Sequence, residues 1–326
     1  MRTFAAAILA TVSSAKVFTE MDFKFMNYVN KFGKSYKDVE EFNLRAALFA
    51  KWDAEIAVHQ MNETTSTHDH NFLSDWTAAE KTSLLGLKNM VIEENPAPEF
   101  DNGLHAVGIP TSINWCTSGA CNPIQNQGQC GSCWAFAAVA TMESAHKIQH
   151  GSLYKLSEQN EVSCSSSYGN NGCNGGLAQY AWNYAKTNKL ESESNYPYSS
   201  GTGITGTCKY NSSLGIGGVT SWANCGTSSS AIETCVATAP NAIAVEADTS
   251  YFQSYSSGIM TNAAACGTNL DHAIVAVGYN LTSNYFIVRN SWGTSWGLSG
   301  YANLSIIAYP GMCGMNKQVQ NVTTTA

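Results

Sequence analysis

Gln127-Gly128-Gln129-Cys130-Gly131-Ser132-Cys133-Trp134-Ala135-Phe136 opens a dense apolar run that continues through Ala137, Ala138, Val139, Ala140, Met142 and Ala145 to Ile148. The run predicts a buried helix that starts at Cys133, with Ser132 as its cap. A thiol on the first turn of a helix meets the positive end of the dipole and free backbone N–H groups. Its pKa falls there, and the nucleophilic thiolate becomes populated. Cys130-x-x-Cys133 also reads as half of a zinc site or as a thiol–disulfide redox pair. What lies downstream separates these chemistries.

A cysteine nucleophile needs a base within hydrogen-bond reach and a group that orients the base. Residues 109–326 contain three histidines, His146, His150 and His272. His146 and His150 share a face of the helix that begins at Cys133, roughly 20 Å from the thiol at 1.5 Å per residue. They read as a solvent-facing pair rather than a metal site. His272 opens a strand pattern, Ala273-Ile274-Val275-Ala276-Val277, and a second pattern, Tyr285-Phe286-Ile287-Val288-Arg289, ends at Asn290. If the two form a hairpin centred on residue 281, His272 and Asn290 are equidistant from the turn. Opposed residues have Cβ atoms ~5 Å apart, within reach of an amide that holds an imidazole. A bulge shifts that pairing by one residue.

The stretch from Gln127 to Phe136, together with Asp271-His272-Ala273 and Asn290-Ser291-Trp292-Gly293, resembles the active-site signatures of papain-like cysteine peptidases. The resemblance implies an α+β fold of two lobes, one helical and one β-barrel-like, with the cleft between them. It implies Cys133 as nucleophile, His272 as general base and acid, Asn290 as the group orienting His272, and Trp292 as a shield over that bond. Gln127 would donate to the oxyanion beside the backbone N–H of Cys133. Gly175-Gly176, following Cys173-Asn174, matches the segment whose bare backbone pairs with extended substrate, and Asp271 lies beside the base. Leu177, Ala178, Ala244 and Ala273 would line the S2 pocket, with Gln318 at its far end, or Lys317 after a one-residue slip. Trp296 reads as packing.

The same resemblance implies the disulfides Cys130–Cys173, Cys164–Cys208 and Cys266–Cys313, which would exclude both metal and redox readings of the C-x-x-C. Proximity in sequence adds Cys116–Cys121 and Cys225–Cys235. Five bridges and one thiol account for all 11 cysteines, none of which precedes Cys116. An odd count in a disulfide-rich chain fits secretion with one free thiol.

Upstream, Glu41, Arg45, Phe49, Trp52, Ile56 and Gln60 share a helical face. They resemble the interrupted helix motif of cathepsin L-type propeptides, with Trp52 and Gln60 where that family usually has Asn. Asn71 and Asp75 resemble the next propeptide motif, with Leu73 in place of Phe. A shorter amphipathic helix is expected to present Phe23, Met26, Tyr28, Val29 and Phe32. Residues 84–108 lose periodicity, gain Pro96, Pro98, Gly103 and Gly108, and read as a linker. Ile109-Pro110 through Trp115 resembles the start of a mature enzyme. The chain of 326 residues therefore divides into a signal peptide (1–15, with Arg2, an apolar stretch from Phe4 to Val12 and Ser13-Ser14-Ala15), a helical inhibitory propeptide (16–107) and a peptidase domain (108–326). Within the last, residues 133–190 read as helical, with a second stripe at Leu177, Tyr180 and Tyr184. Short strands follow from Val219.

The formal charge is −7; residues 1–108 carry 10 Lys and Arg against 15 Asp and Glu, and residues 109–326 carry 7 against 9. With no basic patch, nucleic acid is an unsuitable partner. No later apolar run approaches the ~18 residues of a membrane span. The reading is a monomeric cysteine endopeptidase made as a zymogen and acting on proteins and peptides, with no cofactor or metal. Its own propeptide would inhibit it until acid pH protonates stabilising carboxylates. It would enter the secretory pathway, for a lysosome, another acidic vacuole or the exterior. Asn62, Asn211, Asn280, Asn303 and Asn321 head glycosylation sequons, Asn303 within a strand pattern. Three rivals are an exopeptidase, a catalytically silent binding or storage member of the fold, and a disulfide oxidoreductase. The first lacks the spare histidines or propeptide cysteine such variants carry. The second usually lacks the nucleophile. The third requires a second free thiol.

Overall fold

The structure, a computed structural model, describes residues 18–96 and 105–326. The expected signal peptide lies outside the described residues. The chain begins with α1 (Glu20–Lys31) and α2 (Val39–Asn62), followed by β1 (Ser66–His68) and α3 (Ala78–Thr82). Thr19 caps α1 and Asp38 caps α2, each accepting from a backbone N–H of the first turn. The two helices meet through aromatic rings: Phe49 lies 5.4 Å from Phe25 and 4.9 Å from Tyr28. The buried face of α1 is therefore Phe25 and Tyr28; Phe23 and Met26, expected inside, are exposed, as is Leu44 of α2. A packed helix pair this small buries only a narrow stripe, and the outer residues of the apolar pattern stay in water.

The expected propeptide motifs act as ties. Arg45 donates to Glu80 at 2.6 and 2.8 Å and to Glu41 at 3.3 Å, joining α2 to α3. Asp75 accepts from Tyr28, Lys34 and Tyr36 within 2.8 Å. Leu73 is fully buried in the core of the following domain, and Asn71 donates to the Gln253 carbonyl there at 2.7 Å.

That domain comprises β2 (Ser112–Asn114), α4 (Cys133–His150), α5 (Glu158–Cys164), α6 (Ala178–Ala185), β3 (Val219–Asn224), α7 (Ser229–Val236), β4 (Asn241–Val245), α8 (Ser250–Gln253), β5 (Tyr255–Gly258), β6 (His272–Asn280), β7 (Tyr285–Arg289), β8 (Tyr301–Ser305) and β9 (Val319–Thr324). Seven strands form an open antiparallel sheet, six of them in the order β3-β9-β4-β6-β7-β8 and the seventh, β2, paired with β6. On one edge of β6, β4 pairs with its first half and β2 with its last three residues. Both faces of this sheet are covered. Ala242, Ala244, Ala273, Val275 and Val277 pack with α4 and α6, whereas Ile243, Val245, Ile274 and Ala276 pack with Tyr251, Phe252 and Trp296 on the other side. Burial on both faces explains why β6 reads as an unbroken apolar run rather than an alternation. The helical lobe is built on α4, which is buried from Cys133 to His146 except at Ala140. A second strand pair crosses between the two parts of the chain: β1 lies antiparallel to β5, with Ser66 opposite Gly258 and His68 opposite Tyr255.

The sulfurs are joined as Cys116–Cys121, Cys130–Cys173, Cys164–Cys208, Cys225–Cys235 and Cys266–Cys313, leaving Cys133 free. His146 departs from its solvent-facing expectation. It is buried, with Nδ1 against the Ser152 carbonyl at 2.9 Å, while His150 reaches the Thr324 carbonyl at 3.3 Å. These carbonyls account for the positions of the two rings.

One buried group weakens the helical lobe. Glu161 of α5 is fully buried, and neither carboxyl oxygen has a hydrogen-bond partner among the described residues. Burial pushes its pKa well above the usual carboxylate value. A group held protonated by the fold stabilises it fully below the unfolded pKa of ~4.3, and that contribution is lost as pH rises toward the folded value. Glu161→Leu is expected to stabilise the domain by ~1–3 kcal/mol. Thermal unfolding at pH 4.5 and 7.5 checks this: the gain should be larger at pH 7.5, and equal gains would contradict it.

Candidate active site

Cys133 is the first residue of α4, and Ser132 stands at the cap position without a side-chain cap bond. The Ser132 hydroxyl instead meets the Tyr198 hydroxyl at 2.9 Å, and Tyr198 in turn donates to the Gln127 carbonyl at 2.8 Å. The expected cap thus serves to fix the loop that carries Gln127. The Cys133 Sγ accepts from the Ala273 N–H at 3.4 Å, which brings the start of α4 against the start of β6. His272, one residue earlier, is fully buried.

His272 Nε2 donates to Asn290 Oδ1 at 2.8 Å. The Ser291 N–H donates to the same oxygen at 2.8 Å, which fixes the amide with its oxygen toward the ring. The proton therefore sits on Nε2, and Nδ1, which has no hydrogen-bond partner among the described residues, keeps its lone pair for chemistry. Trp292 covers this bond, its ring 4.7 Å from the imidazole, and itself rests edge-on against Trp296 at 5.5 Å. The pairing is not the direct opposition expected. The ladder runs Asn280 opposite Tyr285, shifts by one between Ala276 and Gly278, and continues as Val275 opposite Arg289. By then β7 has ended, and Asn290 reaches His272 diagonally from the residue beyond the strand. The bulge bends β6 so that this diagonal reach closes.

Gln127 is buried, and three bonds orient its amide. Its Oε1 accepts from Ser291 at 2.7 Å, and Nε2 donates at 2.8 Å to the carbonyls of Cys130 and Leu84. Leu84 belongs to the segment read as a linker. That segment is not a loose connection; it threads the cleft. Gly176 N–H donates to the Gly86 carbonyl at 3.1 Å, Leu87 N–H to the Asp271 carbonyl at 3.0 Å, and Asn95 N–H to the Lys317 carbonyl at 2.8 Å. A Cβ on Gly86 would collide with the Gly131 carbonyl and stand 3.0 Å from Cys133 Sγ. Only a glycine lets the backbone cross the thiol this closely. Gly175, at φ +125°, and Gly176 are equally confined: a Cβ on Gly175 would lie 2.5 Å from the Gly86 carbonyl oxygen, and one on Gly176 would lie 2.6 Å from Trp134.

Leu177, Ala178, Ala244 and Ala273 join one buried apolar cluster, against which Met90 of the threading segment packs. The Ala244 N–H donates to the Gln318 carbonyl at 3.2 Å, and the buried Gln318 Nε2 has no partner among the described residues. Lys317 points elsewhere, to Glu94 at 3.1 Å and the Thr268 carbonyl at 3.0 Å.

Burial under this cover reverses the charge state expected at a helix start. It pushes the Cys133 thiol up to about 11, the backbone N–H of Ala273 only partly opposing it, and pulls His272 down to about 4. Burial likewise lifts Asp271 to about 7. The covered pair is neutral thiol and neutral imidazole. Sequence reasoning missed the threading segment, Ser291 and Tyr198. Gly86 between Leu85 and Leu87 was the one available signal, since no local pattern required a glycine there.

Residues 109–323 match the family model described as papain family cysteine protease, and residues 25–80 match the cathepsin propeptide inhibitor domain. The chain is 33% identical over 323 residues to cysteine proteinase 1 of Zea mays, covering 92% of this chain and 85% of that one. It is 40% identical over 205 residues to procathepsin L of Mus musculus, covering 60% of each. Among solved structures it resembles digestive procathepsin L 3 of Tenebrio molitor larval midgut, with a TM-score of 0.79 and 29% identity over 94% of this chain and all of that one.

Proposed function

This chain belongs to the papain family of cysteine proteases and is a cysteine endopeptidase made as a zymogen, and we propose that Cys133 is its nucleophile and His272 its general base and acid. The observation that carries the assignment is the single free thiol, placed at the start of α4 beside an imidazole whose Nε2 is anchored and whose Nδ1 has no hydrogen-bond partner among the described residues. Once the propeptide leaves, water reaches the cleft and the desolvation that holds the pair neutral is relieved. The proton then passes from Sγ to His272 Nδ1. The thiolate attacks the substrate carbonyl, and Gln127 Nε2 and the Cys133 N–H stabilise the oxyanion by ~3 kcal/mol each. His272 returns the proton to the leaving amine, and water releases the acyl group. Asn290 holds the ring and Trp292 keeps solvent off that bond.

In the zymogen, the Leu84 carbonyl takes the Gln127 amide that the oxyanion would use, and Gly86 and Leu87 take backbone partners that substrate would use. The propeptide inhibits by occupying both donors and acceptors of the cleft. Labelling the activated enzyme with an epoxide thiol-protease inhibitor, then mapping the modified peptide, tests the assignment. Modification of Cys133 is expected, and labelling confined to any other residue would refute it.

Leu177, Ala178, Ala244 and Ala273 form an apolar S2 pocket with Gln318 as a neutral polar floor. Leaving its amide unpaired costs ~1–3 kcal/mol, and an amide cannot neutralise a cation. Leu, Val or Phe should be preferred at P2 over Arg in a P2-varied peptide library; Arg equal to Leu would show the pocket assignment to be wrong. The enzyme works as a monomer and reaches an acidic vacuole or the exterior through the secretory pathway, a route that five disulfides fit. No described helix is long and apolar enough to cross a membrane. Asn62 and Asn211 are exposed and suit glycosylation, whereas Asn303 in β8 donates to the Gly258 carbonyl and does not.

A further inference from the structure

We propose that Glu233 is the receptor for the N-terminus of the mature enzyme, and that processing leaves His105 or Ala106 as the first residue. The inference rests on the zymogen reading above and moves the start of the working enzyme upstream of the family boundary at Ile109. Glu233 belongs to α7 and is fully buried, yet both carboxylate oxygens are engaged outside its helix. Oε1 meets His105 Nδ1 at 2.7 Å, and Oε2 accepts the Ala106 N–H at 2.7 Å. His105 is its only ion-pair partner among the described residues. Trimming to Ile109 would remove both the His105 ring and the Ala106 N–H and leave a carboxylate buried alone, which is among the costliest states in a protein interior.

Hydrolysis just before Ala106 has the opposite effect. Water adds across the His105–Ala106 bond, the acyl carbon leaves as the His105 carboxylate, and the amide nitrogen becomes an α-amine that takes up a proton. That nitrogen already stands 2.7 Å from Glu233 Oε2, so a neutral donor becomes a cation without moving. An α-ammonium, with an ordinary pKa near 8, is charged at acid and neutral pH. Tyr279 of β6 feels the Glu233 charge, and its buried hydroxyl has no partner among the described residues. Hydrolysis just before His105 instead keeps both existing bonds.

The chain downstream holds this end in place. The Leu281 N–H donates to the Thr111 carbonyl at 2.8 Å, β2 lies along β6, and Trp115 Nε1 donates at 2.8 Å to the Val236 carbonyl at the end of α7. The new terminus would thus clamp α7 to β6, the strand that begins with His272.

The test uses the full-length precursor, matured at acid pH and analysed by N-terminal sequencing and intact mass. The active wild-type chain is expected to begin at His105 or Ala106. Glu233→Gln keeps the shape and removes the charge, and is expected to give a chain trimmed to Gly108 or Ile109. In a wild-type chain that begins at Ala106, reductive methylation of the α-amine at pH 7 should be about tenfold slower than in the denatured chain, equivalent to one pKa unit. If the variant does not accumulate, the wild-type terminus and its methylation rate decide. An active wild-type enzyme beginning at Gly108 or Ile109 overturns the proposal and leaves the peptidase reading intact. So does a Glu233→Gln enzyme with the wild-type terminus and wild-type methylation rate. A precursor that never becomes active under any maturation overturns the peptidase reading and this proposal with it.

Discussion

Cys133→Ala is expected to abolish peptidase turnover while leaving the fold and all five disulfides in place. Losses on deleting the nucleophile of a comparable protease are on the order of 10⁶ in kcat, because the remaining groups stabilise an oxyanion that no longer forms. Packing gives little reason for collapse. The sulfur is buried, but only weak backbone contacts hold it, the Ala273 N–H at 3.4 Å among them, and an alanine leaves a space smaller than a water molecule needs. The variant should remain a full-length precursor at pH 4–5 unless another protease is added. Turnover by purified, folded Cys133→Ala protein above background would remove Cys133 from the nucleophile's role. Circular dichroism and the melting temperature provide the fold control.

The second large effect concerns acid release of the propeptide. The acidic balance of residues 1–108 predicts release by protonation of carboxylates, but the structure places two of them beyond reach of mild acid. Hydrogen bonding from Arg45 is the main reason Glu80 is held at about 2. Burial would raise Glu63, yet its bonds from Thr65, Tyr251 and Thr261 prevail and hold it at about 2. Such depressed carboxylates contribute stability that is lost only as pH falls below the usual carboxylate range toward 2. Histidines occupy the required window. His68 of β1 and His59 of α2 lie 5.1 Å apart, ring to ring, and both rest on Tyr251 of α8. His68 Nδ1 meets Ser254 at 3.0 Å and His59 Nε2 meets Ser250 at 2.9 Å, so both span the seam between propeptide and enzyme. Burial, then the neighbouring His59, pulls His68 down to about 4; burial also lowers His59, with Glu55 opposing. Glu63 is the other charge that His68 feels.

The sign follows from linkage. A histidine kept neutral by the fold stabilises it fully above the free pKa of ~6.5, and that contribution is lost as pH falls through 6.5 toward 4. At pH 5 the loss at His68 alone is ~2 kcal/mol. His59→Gln with His68→Gln preserves hydrogen bonding to the serines and cannot acquire charge. The double variant should process itself roughly tenfold more slowly at pH 5, with its pH midpoint displaced downward. Superimposable processing profiles across pH 4–7 would show that these histidines do not carry the release.

Local chemistry made much of the molecule legible. The helix from Cys133 and the strands from Ala273 and Tyr285 follow from composition over a few residues, and the structure places them within a residue or two of expectation. The His272–Asn290 contact was right in its partners and wrong in its register. Asn280 pairs with Tyr285, so the turn centres between Thr282 and Ser283 rather than on residue 281, and the bulge at Val277 recovers only one position of that offset. The segment from Leu84 to Asn95 was misread because extended backbone in a cleft has the aperiodic composition of a linker; its partners lie far away in sequence. Charge states were least legible of all. The helix start argues for a thiolate, but the cover supplied by Gly86 argues more strongly for a thiol, and that cover belongs to a distant part of the chain.

The crossing of Gly86 over Cys133 also bears on how long the precursor keeps. A chain with five disulfides matures among oxidants, where an exposed thiolate would advance through sulfenic to irreversible sulfinic and sulfonic acids or capture another chain's disulfide. Sealed and protonated beneath a backbone that leaves no room even for a methyl group, the Cys133 sulfur is withheld from peroxide as well as from peptide. The propeptide is a preservative as much as a brake, and the precursor, not the active enzyme, is the form suited to storage.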